Sequence, residues 1–534
     1  MRVPHEASPF ISGFPMDDFK PPLLGPVIGH TTDSSCRIWI RADTDQPNEE
    51  TGLFVLRQIS ENEAPKVISA GRFPLLNQSP AGPGFAAVKL LDTIGLLDLD
   101  ALEANTSYEV AMATGLKDDW SPSPHASDPR ILFREPQIVL IDQAKTIGRF
   151  TTFADPHHAH HGRTLRFLFG SCHYPGHPFQ KEKSVQAFQR VDEVIEQKKP
   201  HCMLMGGDQI YADAFGNAAY QIDNVERLRE RYTESWSGVW KQRVMSRLPT
   251  YMILDDHEIE DNWDSRRLSL PGKADVFDAG IRAYLTYQWS HGPRNHPVQT
   301  RHLPTRYPSL DYEFDVNGFA FFVMDTRTER SSDFIDAGTD TLISDRQLQA
   351  FRQWLGRNAG PKPKFVVSSV VFAPNSNGNR LNEKDTDGWQ AYPKSRGDIL
   401  GAIMNDGNPI QNVIFLCGDA HCSSLARLVM TSPGKPNTYA YCVTSSAFFA
   451  PFTVARRCRS DYVEDSILEQ DTFRWIDEHG HSHSMDYRLM DTVEADNFTE
   501  LDVQWDPQNE QNEINVVRYV GETDIVSTAI VLVR

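Results

Sequence analysis

The sequence predicts a large α/β layered domain preceded by a small all-β sandwich, and three observations carry that expectation. The chain has 534 residues, more than one hydrophobic core organises, so two domains are expected, one of them large. Up to about residue 155 the apolar residues come in short alternating runs, whereas from Leu165 buried runs alternate with helical periodicity. Five of the later buried runs stop at a group able to bind a metal or a phosphate.

The elements follow in order. Residues 1–20 read as a flexible arm. Residues 21–155 read as strands. SCRIWIRAD sets Cys36, Ile38 and Ile40 on one side and Arg37, Trp39 and Arg41 on the other. TGLFVLRQ, GFAAVKLLD, TSYEVAMAT and GRFTTF follow, separated by Gly, Pro, Asn and Asp. Short antiparallel strands at this spacing make a sandwich. The stretch LDALEANTSYEVAMATG with the later GRFTTF resembles part of a fibronectin type III or immunoglobulin-like domain, with Tyr108 as its corner tyrosine. Residues 156–164 read as a linker. Its His157, His158, His160 and His161 could ligate a metal, but no rigid element holds them, so a solvated connector is expected.

Residues 165–534 read as the second domain. LRFLFG is a buried strand. Val185, Phe188, Val191, Val194 and Ile195 then recur at helical spacing until Pro200. CMLM, YMIL, FAFFVM, KFVVSSVVF and NVIFLC are further strands. SDRQLQAFRQWLGRN is a helix with a Ser344–Gln347 capping box and Leu348, Phe351, Trp354 and Leu355 on its inner face. NEINVVRYV and STAIVLVR read as two closing strands. Strand, loop, helix, strand is the grammar of an α/β layered domain.

Composition narrows the function. A net charge of -19 and a pI of about 5.4 argue against nucleic acid as the main partner and give no polybasic surface for a membrane. No run approaches eighteen apolar residues, so no membrane span is expected. Seven scattered cysteines without a CxxC pair read as reduced thiols, and the N-terminus has no apolar signal segment. Together they point to a soluble cytoplasmic protein. A small-molecule substrate is the expected partner, and oligomeric state is not encoded.

Residues 253–263, ILDDHEIEDNW, put five carboxylates and His257 directly after a buried strand. Two bare carboxylates ~4 Å apart repel by ~4 kcal/mol at an effective dielectric of 20, so something must neutralise them. Other strand ends supply comparable groups. Ser171-Cys172-His173 follows RFLFG, and the run from Gly206 through Asp208 and Tyr211 to Asp213 follows CMLM. Asp325-Thr326-Arg327 follows FFVM, and Gly418-Asp419-Ala420-His421 follows VIFLC. Taken singly, each has a bland explanation: an Asp ends a turn, Cys172 is a small core residue, His421 a core histidine, Glu260 and Asp261 solvated charges. Five in order along one domain point to one site, because open α/β sheets bind ligands at the carboxyl ends of their strands.

GDQIYAD, DDHEIEDNW and GDAH, preceded by GSC, resemble the PhoD-like (alkaline phosphatase D) branch of the metallophosphoesterase superfamily over roughly residues 165–450. The resemblance implies a two-sheet α/β sandwich and a metal-dependent phosphoesterase that hydrolyses mono- or diesters with metal-activated water. Asp208 fits a bridging metal ligand between two ions ~3.5–4 Å apart. Cys172 stands where the wider superfamily has Asp-x-His, and Tyr211 follows Asp208 by three residues. A thiolate with a phenolate favours Fe(III), which the resemblance also implies. Oxygen ligands from Asp208, Asp256 and Asp419 suit a second ion, Ca, Mg or Mn, and His421 completes one coordination sphere. His257 is expected to act on substrate rather than metal. Arg327 is expected to clamp phosphate, or else to pair with Glu258 or Asp325. Asp387 and Trp389, with Tyr392 and Arg396, fit the family's D-x-W-x-x-Y-x-x-x-R stretch and are expected at the substrate. The loops 264–310 and 375–400 are expected to shape the pocket. One departure stands out: no histidine occurs between His302 and His421, where the superfamily usually supplies a ligand. The alternative function is a catalytically inactive, metal-stabilised binding or scaffold protein.

Overall fold

Alternation of apolar residues builds the N-terminal module of this computed structural model. The structure describes residues 19–533 except 80–86, 121–127, 129, 156–162, 176–179, 214–223, 294–308, 332–339, 379–386, 405–409, 452–455, 478, 507 and 509–511. The arm before Phe19 and His157, His158, His160 and His161 lie outside the described residues.

One antiparallel sheet orders strands Phe19–Lys20, Ser107–Leu116, Glu50–Ser60 and Glu63–Phe73, with Thr146–Thr151 also paired to Ser107–Leu116. A second orders Leu24–Thr31, Cys36–Arg41, Lys89–Leu99 and Leu75–Gln78. Ile28, Ile38, Ile40, Leu56, Val110 and Met112 form the core between them. Tyr108 is buried, and its hydroxyl accepts a hydrogen bond from the Glu103 amide at 2.9 Å. The sequence reading passed over strand Glu63–Phe73, whose first half is exposed, and helix Glu135–Gln143. That helix buries only Gln137 and Ile141, too few to leave a periodic signal.

From Arg163 two mixed sheets face each other. The first runs Thr250–Met252, Cys202–Met205, Arg163–His173, Asn497–Trp505, Glu513–Val520, Asp524–Val531, with Ser446–Phe449 against Arg163–His173. The second runs Tyr312–Val316, Phe319–Val323, Lys364–Ser368, Val413–Cys417, Thr438–Thr444, Ser423–Thr431, Ser482–Val493, Phe473–Ile476. Their inner faces meet through Phe167, Phe321, Phe365, Ile414, Val443 and Val503. The Phe167 ring sits 5.1 Å from Phe365 and 5.4 Å from Phe321, both edge-on, the arrangement aromatic quadrupoles prefer. Helices Lys181–Lys198, Asn224–Trp236, Val239–Met245 and Lys273–Tyr287 share a core with residues of the first sheet, while Asp345–Arg357 and Pro393–Met404 share one with the second. Half of the expected capping box forms: Ser344 Oγ accepts from the Gln347 amide at 3.2 Å, but the Ser344 amide donates to Glu329 Oε2 at 3.3 Å while the Gln347 side chain is bonded to Asp325 and Glu329.

Much of the stretch expected as pocket loops is helical. Within 264–310 lies helix Lys273–Tyr287, on which Phe277, Ile281, Tyr284 and Leu285 keep a 3.6-residue period and are buried. Within 375–400 begins helix Pro393–Met404. The first of these receives the N-terminal module. Trp39 Nε1 donates to the Thr286 carbonyl at 2.9 Å, and Asp92 pairs with Arg41 at 3.2 Å and Arg229 at 2.7 Å. Among the described residues no helix is long and apolar enough to cross a membrane, and all seven cysteines are free.

Candidate metal centre

Parallel register sets the strand ends level. Gly170 pairs with Met205, and Met205 with Met252, so the residues just beyond these pairs emerge side by side. Cys172, Asp208 and His421 offer ligand atoms within 4.8 Å of one another. So do Asp208, Asp255, Asp256 and Asp419, and so do Asp208, Asp256 and His257. Tyr211 joins the first group, its hydroxyl 3.1 Å from His421 Nε2. All six residues expected as metal ligands are therefore in one place, and Asp255 is added to them.

The backbone is bent to bring them there. Cys172, Asp208, Asp419 and His421 have φ of 56°, 54°, 68° and 51°. Non-glycine residues seldom occupy that left-handed region, at a cost of order 1–3 kcal/mol each, and such strain concentrates at functional sites. Gly207, at φ 106°, is required for another reason: a Cβ there would lie 2.5 Å from Asp255 Cβ. The glycine lets the two acidic loops touch.

The electrostatics are those of a site built for cations. Burial, then the neighbouring thiol and carboxyls, push Asp208 well above the usual carboxylate range. Burial and then Asp387 and Asp255 do the same to Asp419. Burial pushes Asp255 up to about 7 against the pull of Arg327, and the Cys172 thiol up to about 12. Burial holds His421 down at about 3, so it is a neutral imidazole with a lone pair to give. Asp255 Oδ2 and His421 Nδ1 are buried without a hydrogen-bond partner among the described residues. Buried anions and orphaned lone pairs of this kind are relieved by metal ions, so sulfur, nitrogen and oxygen donors here fit the expected metals.

His257 sits at the rim. Its Nδ1 donates to Asp213 Oδ1 at 2.7 Å, and its ring lies 4.2 Å from the Tyr211 ring. Burial would lower its pKa, but the carboxylates of Asp256 and Asp213 more than reverse this and hold it at about 10. Asp213, which also accepts from the Asp261 amide at 2.7 Å, was part of the quoted GDQIYAD stretch but received no role from sequence. The signal was its place two residues beyond Tyr211.

Three residues expected at the substrate lie buried with protein partners. Arg327 is fully buried, and its fork is spent on carboxylates: Nε donates to Asp255, Nη1 and Nη2 donate to Asp387 at 2.7 Å each. Asp256 lies 3.6 Å from its Nη2. The ion-pair alternative holds in kind, with Asp255 and Asp387 as partners in place of Glu258. From Arg327, the Asp325 carboxylate accepts the backbone amide alone, at 3.0 Å, and its other donors are the amide and hydroxyl of Thr328. Asp387 is likewise occupied, since Arg330 also donates to it, and two guanidiniums offset its burial and hold its carboxyl far below the usual range. Trp389 is fully buried, its Nε1 donating to Ser368 Oγ at 3.0 Å. Of that motif, Asp387 supports the site through Arg327, while Trp389 and Tyr392 pack in the core of the second sheet and Arg396 donates to Asn375 Oδ1 at 2.8 Å.

Solved structures share this architecture. A structure of PhoD superposes with a TM-score of 0.61 at 17% identity, covering 98% of this chain and 90% of that one. The purple acid phosphatase PPD1 from yellow lupin (Lupinus luteus) seeds superposes with a TM-score of 0.51 at 11% identity, covering 95% and 74%. At these identities the likeness is one of fold. No curated protein matches the chain. The profile of the PhoD-like phosphatases matches residues 167–483, which take in every strand end described above, and the chain belongs to the PhoD-like phosphatase family.

Proposed function

We propose that the protein is a metal-dependent phosphoric ester hydrolase acting on mono- or diesters of small molecules. The observation that carries this reading is the convergence of Cys172, Asp208, Asp255, Asp256, Asp419 and His421 beside Tyr211, with His257 held at the rim. Cys172 and Tyr211 on one side favour Fe(III), and the oxygen-rich group of Asp208, Asp256 and Asp419 favours Ca, Mg or Mn. Bound there, the ions supply Lewis-acid polarisation of the phosphoryl oxygens. The protein's own residues do the rest. Asp213 fixes the His257 ring so that Nε2 is left for a substrate oxygen, where it protonates the departing alkoxide. Arg327 keeps Asp255 and Asp256 in place from behind. The seven free thiols support a cytoplasmic setting.

The test is metal analysis of the purified protein together with hydrolysis of nitrophenyl phosphate and bis(nitrophenyl) phosphate. The expected result is bound iron, a visible charge-transfer band and turnover of at least one ester. A colourless, iron-free protein fully active with magnesium alone would refute the Fe(III) assignment. A fully metal-loaded protein without turnover would leave the scaffold reading standing.

A further inference from the structure

Glu258 is the fully buried glutamate of DDHEIEDNW, and none of the three metal-capable groups includes it. Its oxygens are turned to backbone instead. Oε2 accepts from the amides of Asp208 at 3.1 Å and Asp255 at 2.9 Å. Oε1 accepts from the Gln209 amide at 2.6 Å and from Gln288 Nε2 at 3.0 Å. A carboxylate offers about four lone-pair sites, so all are in use. The three amides belong to the two loops that carry Asp208 and Asp255–Asp256. The Gln209 peptide is held from its other side as well, its carbonyl accepting from Ser235 Oγ at 2.9 Å.

This arrangement is costly unless it serves the loops. One more carboxylate is buried beside four that already repel each other, and a bound metal would gain nothing directly from it. What it does is tie one turn of improbable backbone, Gly207 at φ 106° and Asp208 at φ 54°, to the loop that begins at Asp255. We propose that Glu258 is a positioning residue that locks the Asp208 and Asp255–Asp256 loops into their metal-binding arrangement before any metal arrives. The inference rests on the reading of this cluster as a metal centre. Loops ordered in advance do not spend binding free energy on ordering, so affinity is kept. An amide cannot replace the carboxylate, because its NH2 would face a backbone N–H.

The experiment compares the full chain with its near-isosteric variant Glu258→Gln. Mn2+ affinity is measured by competition with a fluorescent chelator, and amide hydrogen exchange is measured on the metal-free proteins. We expect Mn2+ affinity to fall ~10–100-fold, as when other supporting partners of metal ligands are removed. We also expect faster exchange confined to the segments around 205–210 and 253–258, with most turnover restored by excess metal. Unchanged affinity and exchange in a folded variant would overturn the proposal. Should Glu258→Gln fail to fold, Gln288→Leu removes one of the four bonds, and a smaller loss in the same direction is expected. No change there would equally overturn it. If the wild-type chain binds none of iron, Mn2+, Ca2+ or Mg2+, the metal-centre reading fails, while the exchange comparison still decides whether Glu258 orders the two loops.

Discussion

Asp213 Oδ1 lies 2.7 Å from His257 Nδ1. A carboxylate can only accept, so Nδ1 must carry a proton; with the ring held protonated up to about pH 10, Nε2 carries one as well and is directed elsewhere. Nε2 is 3.9 Å from Asp261, beyond hydrogen-bond reach, on a partly exposed edge. Asp213 therefore selects the atom that His257 presents to a substrate.

His257→Asn is expected to keep its metals and lower kcat by ~10²–10⁴. Asp213→Asn is expected to keep them as well, with a smaller loss in the same direction. Both defects should be larger with an alkyl phosphate than with a nitrophenyl ester, whose leaving group needs little protonation. Metal content and kcat for the two ester types are the measurements. Asp208→Asn serves as the control that loses metal and activity together. Metal loss in His257→Asn equal to that control would make His257 a ligand.

Gly207→Ala should collapse the centre. Its Cβ would meet Asp255 Cβ at 2.5 Å, the side-chain atom bonded directly to the Asp255 backbone, which has little room to yield. Gly434→Ala is the comparison, because Gly434 has φ 75° but nothing within 4 Å of an added Cβ. The control is expected to cost about 1–2 kcal/mol from its backbone alone and leave bound metal unchanged. Gly207→Ala should cost more and lose metal. Equal thermal shifts and equal metal content would show that the loops do not need their close approach.

The residues of the candidate metal centre were legible in sequence because each follows a buried run whose length and polarity change mark a strand end. Asp208, Asp256 and Asp419 could thus be assigned to one edge before any geometry. The buried partners of Arg327, Asp387 and Trp389 were not legible because sequence does not record direction. A strand-end arginine that points inward to two carboxylates reads the same as one that points to solvent. Glu258 and Asp213 were legible as motif members only, since their work is done on backbone amides and on a ring nitrogen from a different loop. Helix Lys273–Tyr287 was taken for loop because its buried face includes Ala279, Gly280 and Ala283, small residues that carry little hydrophobic signal.

Arg327 separates bracing from substrate binding. Truncation to Arg327→Met leaves Asp255 without its guanidinium partner in a fully buried position. Removing one side of a buried ion pair costs about 3–5 kcal/mol. We expect a large drop in the urea midpoint with altered metal content. A phosphate clamp would instead raise KM with stability kept, and that pattern would return Arg327 to the substrate.

Lys364 gives the folded state a pH dependence of known sign. It is buried at the start of strand Lys364–Ser368, and its ammonium donates to the carbonyls of Gly360 at 2.7 Å and Gln411 at 2.9 Å. Burial, with some help from Lys362, pushes its pKa from 10.5 down to about 7. Below pH 7 both folded and unfolded chains hold the proton, and the burial penalty is constant. Between about pH 7 and 10.5 the unfolded chain keeps a proton that the folded chain has shed. Stability then rises with pH, by at most about 1.4 kcal/mol per unit. Lys241, pushed to about 7 by burial, adds a slope of the same sign, so the wild-type curve alone does not isolate Lys364. Lys364→Met does, because the difference between the two proteins cancels every other group. It also adds a constant loss, since two carbonyls are left without their donor. We expect the stability of wild type minus variant to be flat up to about pH 7 and to climb steadily to pH 9.5, read from urea midpoints. Parallel curves would mean that the two carbonyls keep the buried ammonium charged.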